Sequence, residues 1–556
     1  MKFLLNGKRV HRIPIAGSAR FERASILLKT STGYKLYLFV FLFLIILNYN
    51  TGITQIVNQQ WVVRYDSSGI SKSEGTDITT NSSGDIYVTG NIINSNNSDI
   101  LTIKYSASGQ EIWSRTYNSP GSRSDFGIMV EVDINQDIIV CGNESLNGVL
   151  VVIKYNSFGD TLWTQRYQRS PAISNTPIRM KTDIDGSIFL TLTTTLGGYD
   201  DYTILKYSSN GILKWQVHFT NILFSSDQAN ALALGDDNYF YTAGFSTDTL
   251  LTGIIIKFDK TTGDSIWSNR ISNFIPEDIS VSKTGMVFST GNKEGQYFTC
   301  KLNPAGELLW NRIYNDIGGN SLKIGVDSNY NCYVAGYKFS NSPGITILKY
   351  NTTGEFLWTR TILGSTASSC ILSDLIVEKN GDFYIGGSNT IELPFSDYLT
   401  IKYNINGDFI WMKRYNYYRT HSDHLYSLTK DNTGNIIVTG ISYKNLQYSC
   451  TTIKYSQTLG VNLISNQIPA SSYLEQNYPN PFNPSTRIRY SIKENANVII
   501  KIYDQLGKEL STLLDQYQNS GVYEVDFHGD NLASGIYFYK IDTGNYRDTK
   551  KMILLK

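Results

Sequence analysis

The sequence predicts an all-β protein, a β-propeller of eight four-stranded blades followed by a small Ig-like β-sandwich. Three observations carry that prediction. All eight tryptophans of the 556-residue chain, Trp61, Trp113, Trp163, Trp215, Trp267, Trp310, Trp358 and Trp411, occupy one position of a repeat spaced by 43 to 53 residues. The last seven sit in the same text, as in TIKYSASGQEIWSRTY at 102–117 and TIKYNINGDFIWMKRY at 400–415. Each repeat holds four strand signals, the period of a propeller blade. Composition agrees, with 39 tyrosines, 13 % aromatic residues and only 17 % charged residues, a mixture suited to short strands and tight turns.

Taken in chain order, residues 1–54 come first and differ from the rest. The apolar run LYLFVFLFLIIL at 36–47 follows Lys2, Lys8, Arg9, Arg12, Arg20, Arg23, Lys29 and Lys35, the charge order of a secretory signal. Twelve apolar residues fall short of the roughly twenty that span a bilayer as a helix. The segment therefore reads as a signal peptide with a long basic start, cut between Thr54 and Gln55.

Residues 55–460 form the ring. In the first full blade, strand a is expected near 76–80 and strand b near 85–90, joined by the turn 81–84. Strand c follows near 100–105 and strand d near 111–117, joined by the turn 106–109. The glycine recurring at Gly109, Gly159, Gly211, Gly263, Gly306, Gly354 and Gly407 fits the left-handed position of a hairpin turn, which a residue without Cβ enters cheaply. The Trp strand, the IKY strand and strand b each occur eight times. The chain opens on an orphan d strand at 60–65 and ends the ring on an orphan a-b-c set finishing at Ile453-Lys454-Tyr455. Together these complete the eighth blade, a 1+3 closure. The tryptophans read as a blade-packing series, since one buried indole removes on the order of 150–250 Å² from water. The lysines of IKY (Lys104, Lys154, Lys206, Lys257, Lys301, Lys349, Lys402 and Lys454) are expected to lay their stems along an aromatic, with the charge meeting an acid or solvent.

After Gly460 the period stops. A polar linker is expected over 461–475 and a second domain over 476–556. The latter opens on NYPNPFNPST at 477–486, whose prolines forbid helix. Six short strands follow near 487–492, 497–503, 509–514, 521–527, 536–542 and 546–555, enough for a small sandwich.

Totals exclude several classes. The formal charge is +1 with no extended basic stretch beyond the leader, so a phosphate-driven nucleic-acid binder is not expected. Cys141, Cys300, Cys332, Cys370 and Cys450 are odd in number and lack C-x-x-C spacing. They read as buried small residues rather than a zinc site, with one inter-blade disulfide as the alternative.

The repeat text resembles a bacterial β-propeller repeat family carrying T-I-K-Y-x-x-x-G-x-x-x-W in tandem. That family is associated with seven blades, whereas this sequence supplies eight of each strand signal. The tail is similar to the type A C-terminal sorting domain of bacterial type IX secretion. The residues that carry this likeness are Asn477, Pro479, Asn480, Pro481, Phe482, Asn483 and Pro484, the run VIIKIYDQLG at 498–507, SGIYFY at 534–539 with Gly535 and Tyr537, and the ending KKMILLK with Lys550 and Lys551. The resemblance implies passage of the inner membrane by the leader, contact of the folded tail with the type IX translocon and sortase, and secretion or attachment to the outer cell surface.

Little in the ring reads as catalytic. His421-Ser-Asp423-His424 joins the Trp411 strand to the next blade and offers His421, Asp423 and His424 as candidate metal ligands, but no fourth ligand is evident nearby. The turns at Asp183, Asp327 and Asp431 look like calcium loops, yet Thr194, Lys338 and Ser442 stand where the closing glutamate belongs. The expected role is therefore non-catalytic recognition or scaffolding of an extracellular protein or glycan by a monomer, without a cofactor. The alternative is a propeller enzyme of the quinone-dependent dehydrogenase or hydrolase type. The segment FDKTTGDSIW at 258–267 is similar to the repeats of eight-bladed quinone enzymes, although the adjacent-cysteine pair of those enzymes is missing here.

Overall fold

A computed structural model describes residues 56–65, 72–93, 97–144, 148–170, 172–219, 226–247, 250–314, 319–338, 344–363, 370–389, 395–417, 421–444, 447–458, 461–465, 469–529 and 532–556. The leader and its cut at Thr54–Gln55 lie outside them.

The described residues form eight four-stranded antiparallel sheets followed by two more. Blade 1 runs Lys72–Thr80, Ile86–Ile93, Ser98–Tyr105 and Glu111–Tyr117 as strands a to d, and six further blades repeat this order. The last sheet of the ring combines His424–Lys430, Ile436–Lys444 and Gln447–Thr458 with Ile56–Tyr65 as its fourth strand. The 1+3 closure follows from that pairing, in which Trp61 lies opposite Lys454. Strands b and c are buried on both faces because neighbouring blades cover them, so their sequences run nearly all apolar or small. Strand a carries a bulge at the same place in every blade, between Gly75 and Asp77 in the first and between Leu425 and Ser427 in the last. An extra residue there bends the innermost strand.

The tail has one sheet holding Ser485–Ile492 and Gly521–His528 and another holding Ala496–Tyr503, Glu509–Gln518, Gly535–Asp542 and Arg547–Leu554. Their facing sides bury Ile488, Tyr490, Val498, Ile500, Val525, Tyr539 and Met552 among others. One expectation needs correction. The stretch 461–475 is not simply linker, because Val461–Ser465 pairs with Gly521–His528 and Tyr473–Leu474 pairs with Ser485–Ile492, both as edge strands of the first tail sheet. Two residues, 459 and 460, separate the last ring strand from the first of these.

Candidate functional site

The repeated Lys and Trp residues work as one device. In blade 1 the Lys104 ammonium and the Trp113 indole N–H both donate to the carbonyl of Ser157, at 3.1 Å each, in the c–d turn of blade 2. Lys154 and Trp163 share Ser209 O in the same way. Lys301 and Trp310 share Thr352 O, and Lys454 and Trp61 share Ala107 O across the closure. The indole lies on the turn glycine, so that a Cβ built on Gly211 (φ +77) would sit 2.7 Å from the Trp163 ring. The glycine is therefore required twice, by its left-handed backbone and by the close approach of the ring. Two residues on, Arg115, Arg312 and Arg360 donate Nε–H to the carbonyls of Gly159, Gly354 and Gly407.

Several of these lysine charges are met by an acid inside the protein. Lys104 lies 2.9 Å from Asp85, Lys154 2.7 Å from Asp133, Lys402 3.3 Å from Asp382 and Lys454 2.9 Å from Asp431. Aromatic rings on strand b lie beneath several of them, as with Lys104 over Tyr87 and Lys349 over Tyr333. This accounts for two of the turns that mimic calcium loops. Asp431 accepts the backbone N–H groups of Thr433 and Asn435 with one oxygen and faces Lys454 with the other, while Asp183 pairs with Lys260 at 3.0 Å. Asp327 folds its own turn, accepting the N–H groups of Asn329 and Asn331.

Trp411 differs from its seven counterparts. Blade 8 has no c–d turn, because its strands c and d are the two ends of the ring sequence. Their ladder instead continues through Asn58–Ser456, Val57–Gln457 and Ile56–Thr458. Trp411 packs beside Val57 and Tyr455. At 4 % exposure, its indole nitrogen has no hydrogen-bond partner among the described residues.

The 421–424 segment opens strand a of blade 8. Asp423 is buried, and its carboxylate accepts the N–H groups of Tyr417 (2.9 Å) and Tyr443 (3.0 Å). Asp125 takes the same place in blade 2, accepting the N–H of Ser119, so Asp423 fastens the connection between blades. Burial pushes its carboxyl above the ordinary value. His421 stacks on Tyr443 with ring centroids 3.8 Å apart. His424 instead helps line a cavity of about 320 Å³ with Lys72, Ser73, Glu74, Ile93, Ile441 and Tyr448, and burial holds its imidazole below the ordinary value. Among the described residues, no three His, Cys, Asp or Glu side chains come together as a metal set. The five cysteines are buried and unbridged, and burial pushes the Cys300 thiol up to about 12.

In the tail, the proline-rich segment is fixed to the final strand. Asn480 Oδ1 accepts the Ile553 N–H, the Phe482 N–H donates to Ile553 O, and Leu555 N–H donates to Phe482 O, each within 3.0 Å. Asn477 is buried, its N–H donating to the Tyr539 hydroxyl and its side-chain amide to Thr486 and Pro479. Gly535 pairs with Leu554 and Tyr537 with Met552. Both of these residues also line a hollow of about 410 Å³ with Asp504, Gln505, Leu506, Ser534 and Ile536. Lys551 is exposed, and Lys550 lies 3.5 Å from Asp548. Segments seventy residues apart thus share one end of the sandwich.

Residues 476–555 match the family described as the secretion system C-terminal sorting domain. No curated protein matches the chain. Among solved structures, the Dos1 propeller aligns with a TM-score of 0.48 at 8 % identity, covering 72 % of this chain and 95 % of that one. PorZ of Porphyromonas gingivalis, described as an essential bacterial surface component of the type-IX secretion system, aligns with a TM-score of 0.31 at 10 % identity, covering 87 % and 81 %. A quinohemoprotein alcohol dehydrogenase from Pseudomonas putida HK5 gives 0.35 at 10 % identity, covering 77 % and 79 %. Behind an eight-bladed propeller, the chain carries the sorting domain that marks a protein for export by type IX secretion.

Proposed function

We propose that the protein is a non-catalytic recognition or scaffold propeller, displayed on the outer cell surface or released, and acting as a monomer without a cofactor. Its leader is removed near Thr54–Gln55 during passage of the inner membrane. The tail, docking on the type IX translocon and sortase, completes delivery. The observation that carries this reading is the tail itself, where the NPFNP segment and the final strand are hydrogen-bonded into one folded unit within the matched residues. A non-catalytic ring is supported by how the flagged acids are engaged, Asp423 by backbone N–H groups and Asp183 and Asp431 by buried lysines. The ring's partner is an extracellular protein or glycan. Deleting residues 546–556 removes the strand that holds Phe482 and Asn480, and fractionation should then find the protein trapped in the periplasm. Unchanged display on intact cells would refute the delivery role.

A further inference from the structure

We infer that the cavity between blades 1 and 8 is a saccharide site that takes a neutral sugar unit of a glycan. The inference rests on the recognition reading above and gives it a location and a ligand class.

Every lining residue lies near the strand ends that carry the d–a and b–c connections. Lys72, Ser73 and Glu74 begin Lys72–Thr80, and Ile93 ends Ile86–Ile93. His424 begins His424–Lys430, Ile441 lies in Ile436–Lys444, and Tyr448 stands near the start of Gln447–Thr458. The volume of about 320 Å³ is at the small end of the range for ligand pockets. The lining holds one ammonium, one carboxylate, an imidazole and a phenol. The two formal charges cancel, which favours a neutral ligand over an ion. Together the four groups offer both donors and acceptors, as a polyol requires. Ser73 is already engaged, donating to Tyr65 O and accepting the Cys450 N–H.

The carboxylate is held in place. Asn91 donates its amide to Glu74 Oε1, and the Asn91 carbonyl oxygen accepts the Gly127 N–H at 2.8 Å. The aromatic groups are braced as well. Tyr448 packs edge-on against Tyr443 at 5.2 Å, and His421 covers Tyr443. Tyr448 is nevertheless 39 % exposed, so its ring is open to a ligand. A braced, partly exposed phenol ring beside a fixed carboxylate suits a pyranose, with its C–H face on the ring and its hydroxyls on the acid.

The combination occurs at one seam only. Counting back from the strand-a bulge, the positions equivalent to Glu74 and His424 hold Phe126, Thr176, Gln228, Ile275, Asn320 and Ile371 in the other blades. None of these is an acid or an imidazole.

Saturation-transfer NMR on the full-length protein at pH 7, with cellobiose, maltose, mannobiose and chitobiose as probes, tests the site. Transfer to at least one disaccharide is expected. It should weaken at least tenfold in Glu74→Gln and in Tyr448→Ala but persist in Thr176→Ala, with melting temperatures confirming that all three variants fold. Absence of transfer from all four sugars, or undiminished transfer in both pocket variants, would overturn the inference. Surface display is scored separately. Pocket variants that lose sugar but are still displayed leave the delivery role intact, and a tail deletion that is still displayed refutes delivery without touching the pocket.

Discussion

At seven of the eight blade seams, the tryptophan of one blade lies on the turn glycine of the next and donates or packs against that turn. At the seam between blades 7 and 8, Trp411 meets two strand ends instead. The difference shows what the hairpin contributes. A turn supplies a carbonyl for both the lysine and the indole, together with a surface lacking Cβ on which the ring can lie. The closing seam compensates by other means. Its ladder is two to three residue pairs longer than those of the other blades, and Gln457 bridges blades by donating to Gly434 O and accepting the Tyr384 hydroxyl. Among the described residues, the Trp411 N–H stays unmatched.

This contrast can be broken or sharpened by substitution. The largest effect is expected at Trp61, which sits on the strand tying the start of the ring to its end. Trp61→Ala should cost about 3–5 kcal/mol and lower the melting temperature by more than Trp215→Ala does, since the latter leaves the closing ladder untouched. Equal shifts in calorimetry would show that closure adds nothing to an ordinary seam. Next come the glycines. Gly211 and Gly434 both have left-handed backbones, φ +77 and +88, but a Cβ on Gly434 meets nothing within 4 Å whereas one on Gly211 meets the Trp163 ring. Gly434→Ala should cost about 1 kcal/mol for its backbone alone, and Gly211→Ala roughly twice that or more, as read from urea midpoints. The smallest effect separates the indoles. Trp163→Phe gives up a hydrogen bond to Ser209 O and Trp411→Phe gives up none, so the former should be worse by about 1 kcal/mol. The reverse order would mean that the Trp411 N–H has a partner after all.

What was legible in the sequence was what it repeats. The Trp, IKY and turn-glycine signals occur seven or eight times each, so the blade number, the strand order and the 1+3 closure could all be read before any coordinates. The tail strands were legible from alternation, as at 498–503. The counter-ions were not. Asp183 and Asp431 look like calcium-loop residues because the lysine each one meets, Lys260 and Lys454, lies well away in the sequence, and only the folded ring brings them together. The strand at 461–465 escaped because a short segment reads as coil until its partner, Gly521–His528, is beside it. The cavity residues are hidden for the opposite reason to the tryptophans. They stand where the repeat departs from itself, and Glu74 and His424, 350 positions apart, become neighbours only when the ring shuts.

That closure also sets a timetable. Ser456 donates to Asn58 O across 398 residues of sequence, so the first strand must wait, its edge open, until nearly the whole ring has been made. Contacts between such distant residues form slowly. The strand that ends the wait is followed two residues later by the first strand of the sorting tail. The export tag therefore emerges only after the last piece needed to finish the cargo, and an incomplete ring has no tag to show.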